Sequence, residues 1–197
     1  MTLALMLEIG ILFPSILNGL TTGAVYALIA LGLTLIYGVL HIINFAHGAA
    51  LMVALYTVYL LHSHAGIDPY FALPIVVPAM FAFGYVLQRV IVNRASHGKD
   101  ENILLVTLGL AIVLENLALL IFKGDTRTIE TPYTLTTVAI GPAMISATKL
   151  VAFAGALITS GLLLILMKRT DLGRAIRAVA KEKQGARLCG IDVDHVY

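Results

Sequence analysis

From residue 18 to residue 48 the chain reads NGLTTGAVYALIALGLTLIYGVLHIINFAHG, without one Asp, Glu, Lys or Arg. An apolar helix with a ladder of small residues leads into neutral polar groups, Asn44 and His47, with His41 just upstream. A soluble protein has little use for such a segment. In lipid it can form part of a packed inner wall past which something polar moves. The whole chain agrees with that setting: of 197 residues, 59% are hydrophobic and only 12% are charged. Ordinary globular domains are about 25% charged. Several apolar runs of roughly 20 residues, the length that crosses a bilayer, put the chain in the membrane class.

The fold class expected is an all-α integral membrane protein. It is a polytopic helical bundle of about five transmembrane spans with a cytoplasmic amphipathic segment after them. The spans fall at about 13–37, 45–61, 70–92, 103–122 and 149–167, so residues 1–168 form the membrane region and 169–197 the cytoplasmic segment. Pro14 suits the first turn of a helix, where its missing N–H costs nothing. The first dozen residues are therefore expected as a short interfacial helix ahead of the first span. Residues 38–48 break the apolar run with a glycine at each end. They are either a discontinuous element at membrane depth, tolerated only where protein or a wet cavity surrounds it, or a tight cytoplasmic hairpin. Pro74 and Pro78 predict a kink in the third span. Alternation near residues 133–140 of the Thr-rich connection suggests a short hairpin strand.

Charge placement sets the orientation. If the C-terminal segment is cytoplasmic, so is the polar loop at 93–102, and that side holds ten of the thirteen Lys and Arg residues. The other side holds Lys123, Arg127 and Lys149. The positive-inside rule then places the N-terminus outside and the C-terminus in the cytosol. The single cysteine, Cys189, excludes an internal disulfide and falls in the basic cytosolic segment. No basic stretch precedes the first apolar run, so a cleaved secretory signal is not expected.

Four features bear on function. Gly19, Gly23, Ala27 and Ala30 recur on one helix face at a spacing that lets two backbones approach closely, a packing signal. The polar groups within the spans include Asn18, Thr21, Thr22, Thr34, Asn44, His47, Glu115 and Asn116. Amides and hydroxyls there ordinarily bond a neighbouring helix. Glu115 differs, because a charged carboxylate at depth costs roughly 2.5 kcal/mol or more and is by default a functional candidate. Asn44, His47, Glu115 and Asn116 are thus the substrate-path candidates. His62 and His64 with Asp68 have the residue types of a metal site, but a lone HxH on a loop is a loop far more often than a ligand set, and no metal is assigned. In the C-terminal segment Leu172, Ile176 and Val179 share one helical face, while Arg174, Arg177 and Lys181 line another. This is a helix for the anionic inner leaflet or for a groove on a cytosolic partner. No Walker A sequence, HExxH motif or nucleophile–base pairing is present, so no catalytic residue and no cofactor is assigned.

The opening stretch, down to INFAHG, together with TLGLAIVLENL and GRAIRAVAKEKQGARLCGIDVDHV, resembles the inner-membrane permease of bacterial ABC importers for branched-chain amino acids. The resemblance covers nearly the whole chain. It implies a transport subunit rather than an enzyme, with the ATPase activity on separate subunits. The implied partners are a second permease, two cytosolic ATPases, a periplasmic substrate-binding protein and membrane lipid, with no nucleic acid. It also implies that residues 173–190 dock on an ATPase, through Gly173, Arg174, Arg177, Gln184, Gly185, Ala186 and Gly190. The family's EAAxxxG pattern becomes Gln184-Gly185-Ala186-x-x-x-Gly190 here, with Gln for Glu and Gly for the middle Ala. Glu115 stands where the family pattern carries a neutral glutamine. Further spans follow the coupling loop in the family, so a chain ending at Tyr197 is expected to be a truncated product, a fragment or one piece of a split subunit. Two other transport readings stay open: a sister permease for urea or short amides, and an ion-coupled carrier using Glu115.

Overall fold

The computed structural model describes residues 2–40, 43–96, 100–141 and 143–193. His41, counted above in the polar break, lies outside them, as do residues 97–99 of the polar loop, Pro142 and the chain after Val193. Five helices are long and apolar enough to cross a membrane: Gly10–Gly38, His47–Ala65, Pro69–Ala95, Asn102–Phe122 and Ala147–Arg169. The chain is an all-α polytopic membrane protein, with one short hairpin among the described residues. Large apolar side chains point outward along these helices; Leu120 is 80% and Phe81 77% exposed. A water-soluble surface would not carry such a concentration of them.

The chain divides into two units, Met1–His41 with Thr131–Tyr197, and Ile42–Glu130. In the first, α1 (Thr2–Leu40) packs on α6 (Ala147–Arg169). The more buried face of α1 runs through Leu17, Thr21, Ala24 and Leu28. The small-residue ladder occupies the opposite face and is exposed; a Cβ added at Gly19 or Gly23 would meet nothing within 4 Å. An antiparallel hairpin, β1 (Thr137–Ile140) and β2 (Ala143–Ser146), precedes α6 and lies against α1. Its turn carries Gly141 at φ +59, close to the Phe13 ring. After α6 come two short helices, α7 (Asp171–Lys181) and α8 (Lys183–Leu188).

The first helix departs from expectation. It does not begin at Pro14 but runs through it from Thr2. Proline removes one N–H and crowds the preceding turn, and beside that defect the Ser15 hydroxyl donates to Ile11 O at 2.8 Å. Starting a new helix there would instead leave several N–H and C=O groups without partners on each side, a greater loss in lipid.

In the second unit, α2 (His47–Ala65) packs against α3 (Pro69–Leu87) and α5 (Asp100–Phe122). Alanines form the buried contact: Ala46 and Ala49 cluster with Ala111, flanked by Leu110 and Leu114. Pro69 opens α3 behind Asp68, whose carboxylate accepts the Tyr70 N–H at 2.9 Å. The α-helix continues through Pro74 and Pro78, which donate no N–H of their own. It gives way only at Gln88–Val92, a π-helical turn, before the short α4 (Asn93–Ser96). The wider turn aligns residues five apart, and Gln88 Nε2 donates to Asn93 Oδ1 at 3.1 Å.

This arrangement separates two alanine-to-leucine changes. Ala111→Leu forces three more heavy atoms into a closed contact, an overpacking that costs about 1–3 kcal/mol. Ala27→Leu lands on the open ladder. Thermal unfolding of the detergent-solubilised chain should show a lower midpoint for the first and an unchanged one for the second.

Candidate functional site

The polar break is a turn held by its own residues. Asn44 Oδ1 accepts the Ala46 N–H at 2.9 Å, and Asn44 O accepts the His47 N–H at 3.2 Å. Asn and Asp favour such turns because the short side chain mimics a backbone acceptor. The turn is then fastened to α5. Thr107, 2% exposed, accepts the Phe45 N–H through Oγ1 at 3.3 Å and donates the same hydroxyl to Leu104 O at 3.1 Å. Asn44, Thr107 and Gln88 line a cavity of about 100 Å³.

The other substrate-path candidates are not brought to this cavity. His47 is the first residue of α2 and is half-buried. Glu115 and Asn116 lie two turns beyond Thr107 on α5, both exposed. Asn116 Nδ2 donates to Ile112 O at 2.7 Å. Other span hydroxyls also bond their own helix four residues back: Thr21 to Leu17 O at 3.0 Å, Thr34 to Ala30 O and Thr57 to Val53 O at 2.8 Å. Partners outside their own helix, expected from residue type alone, are seen for Thr107 at the turn and for Asn18, whose Oδ1 accepts from Lys149 Nζ at 2.5 Å. Thr107 was not singled out in the sequence. Its signal there is only a threonine in an apolar run, the same as that of Thr21 or Thr57. At the far end of α2, His62 and His64 lie in the last turn of the helix rather than on a loop; His62 Nδ1 lies 3.0 Å from Ile67 O, and Asp68 caps α3.

The C-terminal segment is built by capping. Thr170 Oγ1 accepts the Gly173 N–H at 3.1 Å and donates to Leu166 O at 2.6 Å, linking the end of α6 to the start of α7. Gly173 is buried, and a Cβ there would overlap the Leu166 and Met167 carbonyl oxygens and come within 2.6 Å of Met167 Cα. Only glycine lets the two helices meet this closely. Arg174 pairs with Asp171, while Arg177 and Lys181 stand exposed. Of the apolar face, Val179 is fully buried, Ile176 is half-buried and Leu172 is exposed. Glu182 ends α7 in extended backbone and caps α8, its carboxylate accepting the Gln184 N–H at 3.4 Å. Gly185 faces that same side chain, with Glu182 Cγ 3.3 Å from a built Cβ. Ala186 closes a small core with Val179 and Val193. Gly190, at φ +78, ends α8: Ile191 N–H reaches Ala186 O at 3.1 Å and Gly190 N–H reaches Arg187 O at 3.0 Å. That paired closure is the left-handed glycine stop of a helix.

Residues 15–196 match the protein family described as branched-chain amino acid transport system / permease component. The high-affinity branched-chain amino acid transport system permease protein BraD of Pseudomonas aeruginosa is 30% identical over 196 residues, 92% of this chain and 63% of that protein. The LivH permease proteins of the same description from Salmonella typhimurium and Escherichia coli are each 30% identical, over 91% of this chain and 62% of their own length. The chain therefore spans less than two thirds of these relatives. No solved structure matches it.

Substitutions in the C-terminal segment should separate two roles for glycine. Gly173→Ala pushes α7 off α6 and should expose the joint to trypsin at Arg169 and Arg174 in membrane vesicles. Gly190→Ala carries the strain of a left-handed residue, about 1–2 kcal/mol, and should free the segment after α8 while the α6–α7 joint resists cleavage as before. Gly190→Asn should behave more mildly, because Asn tolerates that conformation.

Proposed function

The chain belongs to the permease-component family of branched-chain amino acid transport systems, and from that premise we propose that it is a membrane subunit moving branched-chain amino acids inward for an ABC importer. The observation that carries the proposal is the family match over residues 15–196, borne by a chain with five membrane-length apolar helices. The membrane is the bacterial inner membrane, with the N-terminus outside and α7–α8 in the cytosol. That orientation gathers ten of the thirteen Lys and Arg residues on the inner side.

The partners proposed are a second permease subunit, two cytosolic ATPases and a periplasmic binding protein. α7 and α8 receive an ATPase, through Gly173, Arg174, Arg177, Gln184, Gly185, Ala186 and Gly190. The Thr170 bridge and the Gly173 contact support this role, because a push on α7 meets the last turn of α6 with no soft linker between them. α6 in turn packs on α1. ATP-driven closure of the ATPases would rock these helices and alternate access between the two sides. Glu115 supports a second permease. Its carboxylate is exposed on α5 within the span, and lipid would charge roughly 2.5 kcal/mol or more for it. A subunit covering that face removes the cost. Asn44 is assigned to shaping the turn rather than to touching substrate, and Gly19, Gly23, Ala27 and Ala30 to close contact with a neighbouring helix.

Removing the chain from its native strain should abolish ATP-dependent uptake of radiolabelled leucine, isoleucine and valine. Uptake that survives loss of the ATPases but collapses with a protonophore would overturn the reading in favour of an ion-coupled carrier. Glu115→Gln should keep at least half of wild-type uptake, since a neutral amide satisfies a subunit contact. Complete loss in a variant of normal membrane abundance would mean that the carboxylate carries a proton.

A further inference from the structure

We propose that the groove on α2 beneath residues 125–127 is a recognition site for a free α-amino acid with an apolar side chain. The proposal rests on the transport reading and assigns it a place. Leu51, Met52, Leu55, Tyr56 and Tyr59 fall on one stripe of α2 and wall a recess of about 410 Å³, within the roughly 300–1,000 Å³ of small-molecule sites. The opposite edge is formed by the chain just after α5, where Lys123 takes φ +60 and returns Asp125, Thr126 and Arg127 towards α2.

Phe122 fixes both sides of the recess. Its ring stacks on Tyr56, centroids 4.0 Å apart and planes 11° from parallel. Its carbonyl accepts from Arg127 Nη2 at 3.3 Å. The aromatic wall and the cation are thus held by one residue. Arg127 and Asp125 form a loose ion pair, Nη2 to Oδ2 at 3.7 Å, beyond hydrogen-bond length. The guanidinium has five N–H donors, and the Phe122 carbonyl uses one. A ligand carboxylate can take the open fork in bidentate fashion while its ammonium sits on Asp125 and its hydrocarbon lies along Leu51, Leu55 and Tyr56. In an α-amino acid both charges flank one carbon, matching a cation and an anion this close together. A phospholipid headgroup, the competing occupant, separates its phosphate and ammonium by a two-carbon linker.

The test uses cells carrying the protein with its native partners. A photoreactive diazirine analogue of leucine is activated in their membranes, the labelled peptides are mapped by mass spectrometry, and leucine uptake is measured in parallel. Label is expected on residues 51–59, displaced by leucine. Isopentylamine, which lacks the carboxylate, and 4-methylpentanoate, which lacks the ammonium, should need at least tenfold higher concentrations. Arg127→Gln and Asp125→Asn should each reduce labelling and uptake about tenfold, the scale of one charged hydrogen bond, with Arg127→Lys between them and wild type. Label that leucine does not displace, label displaced by phosphatidylethanolamine vesicles instead, or wild-type labelling in Arg127→Gln would each overturn the site. The transport reading stands if uptake still depends on the chain in those cases. Conversely, leucine-displaceable label at 51–59 in cells whose leucine uptake ignores the chain supports the site and sinks the transport reading.

Discussion

Backbone in lipid has no water to bond, and the described structure is organised around that constraint. Where the helix is intact, the span hydroxyls fold back onto their own carbonyls, as at Thr21, Thr34 and Thr57. Where it is interrupted, a side chain takes over. Asn44 and Thr107 accept the N–H groups freed between α1 and α2, and Asp68 accepts one at the start of α3. Among the described residues, no buried side-chain nitrogen or oxygen lacks a partner. Polar residues inside the spans are therefore first of all repairs to the backbone, and a claim on substrate has to come from elsewhere.

The five spans were legible because length and apolarity alone decide them; no tertiary detail is needed to read 20 residues without charge as a crossing. The hairpin was half legible. Alternation near Tyr133 pointed to a strand, but the strand begins at Thr137, because residues 132–135 are spent on a turn that the Thr131 and Thr134 side chains close at 2.7 Å. Pro14 was misread for a reason of energy balance. Local propensity prefers proline at a helix start, yet in lipid one missing N–H is a smaller loss than two sets of unpaired helix ends. The ladder at Gly19 and Gly23 shows the limit from the other side. Spacing tells which face can be approached closely, but not what approaches it, and α6 packs on the opposite face.

The glycines of the C-terminal segment look alike in sequence and do unlike things. Gly173 is required by a neighbour, since the α6 carbonyls occupy the place of a Cβ. Gly190 is required by its own backbone, with φ +78 and open space around it. The first seats the start of α7 directly on the last turn of α6. The second ends α8 and leaves Leu188 90% exposed just before the stop. A close-packed joint followed by a short helix with an apolar tip suits the proposed role of receiving motion from a cytosolic partner.

Under the proposed transport role, charge and depth call for different residues in recognition and in passage. Removing an ion from water costs several kcal/mol even after the protein relaxes, so fixed charges that greet a zwitterion belong where water still reaches. Asp125 and Arg127 satisfy this: they follow the end of α5, and their side chains are 72% and 37% exposed. Farther down, Thr107 on α5 and Asn44 in the turn before α2 offer neutral groups already committed to backbone. Under the proposed transport role, a zwitterion moving from the first environment to the second would exchange charge-assisted contacts for neutral ones. Under that role, release from the recess would require helix motion that brings in new partners.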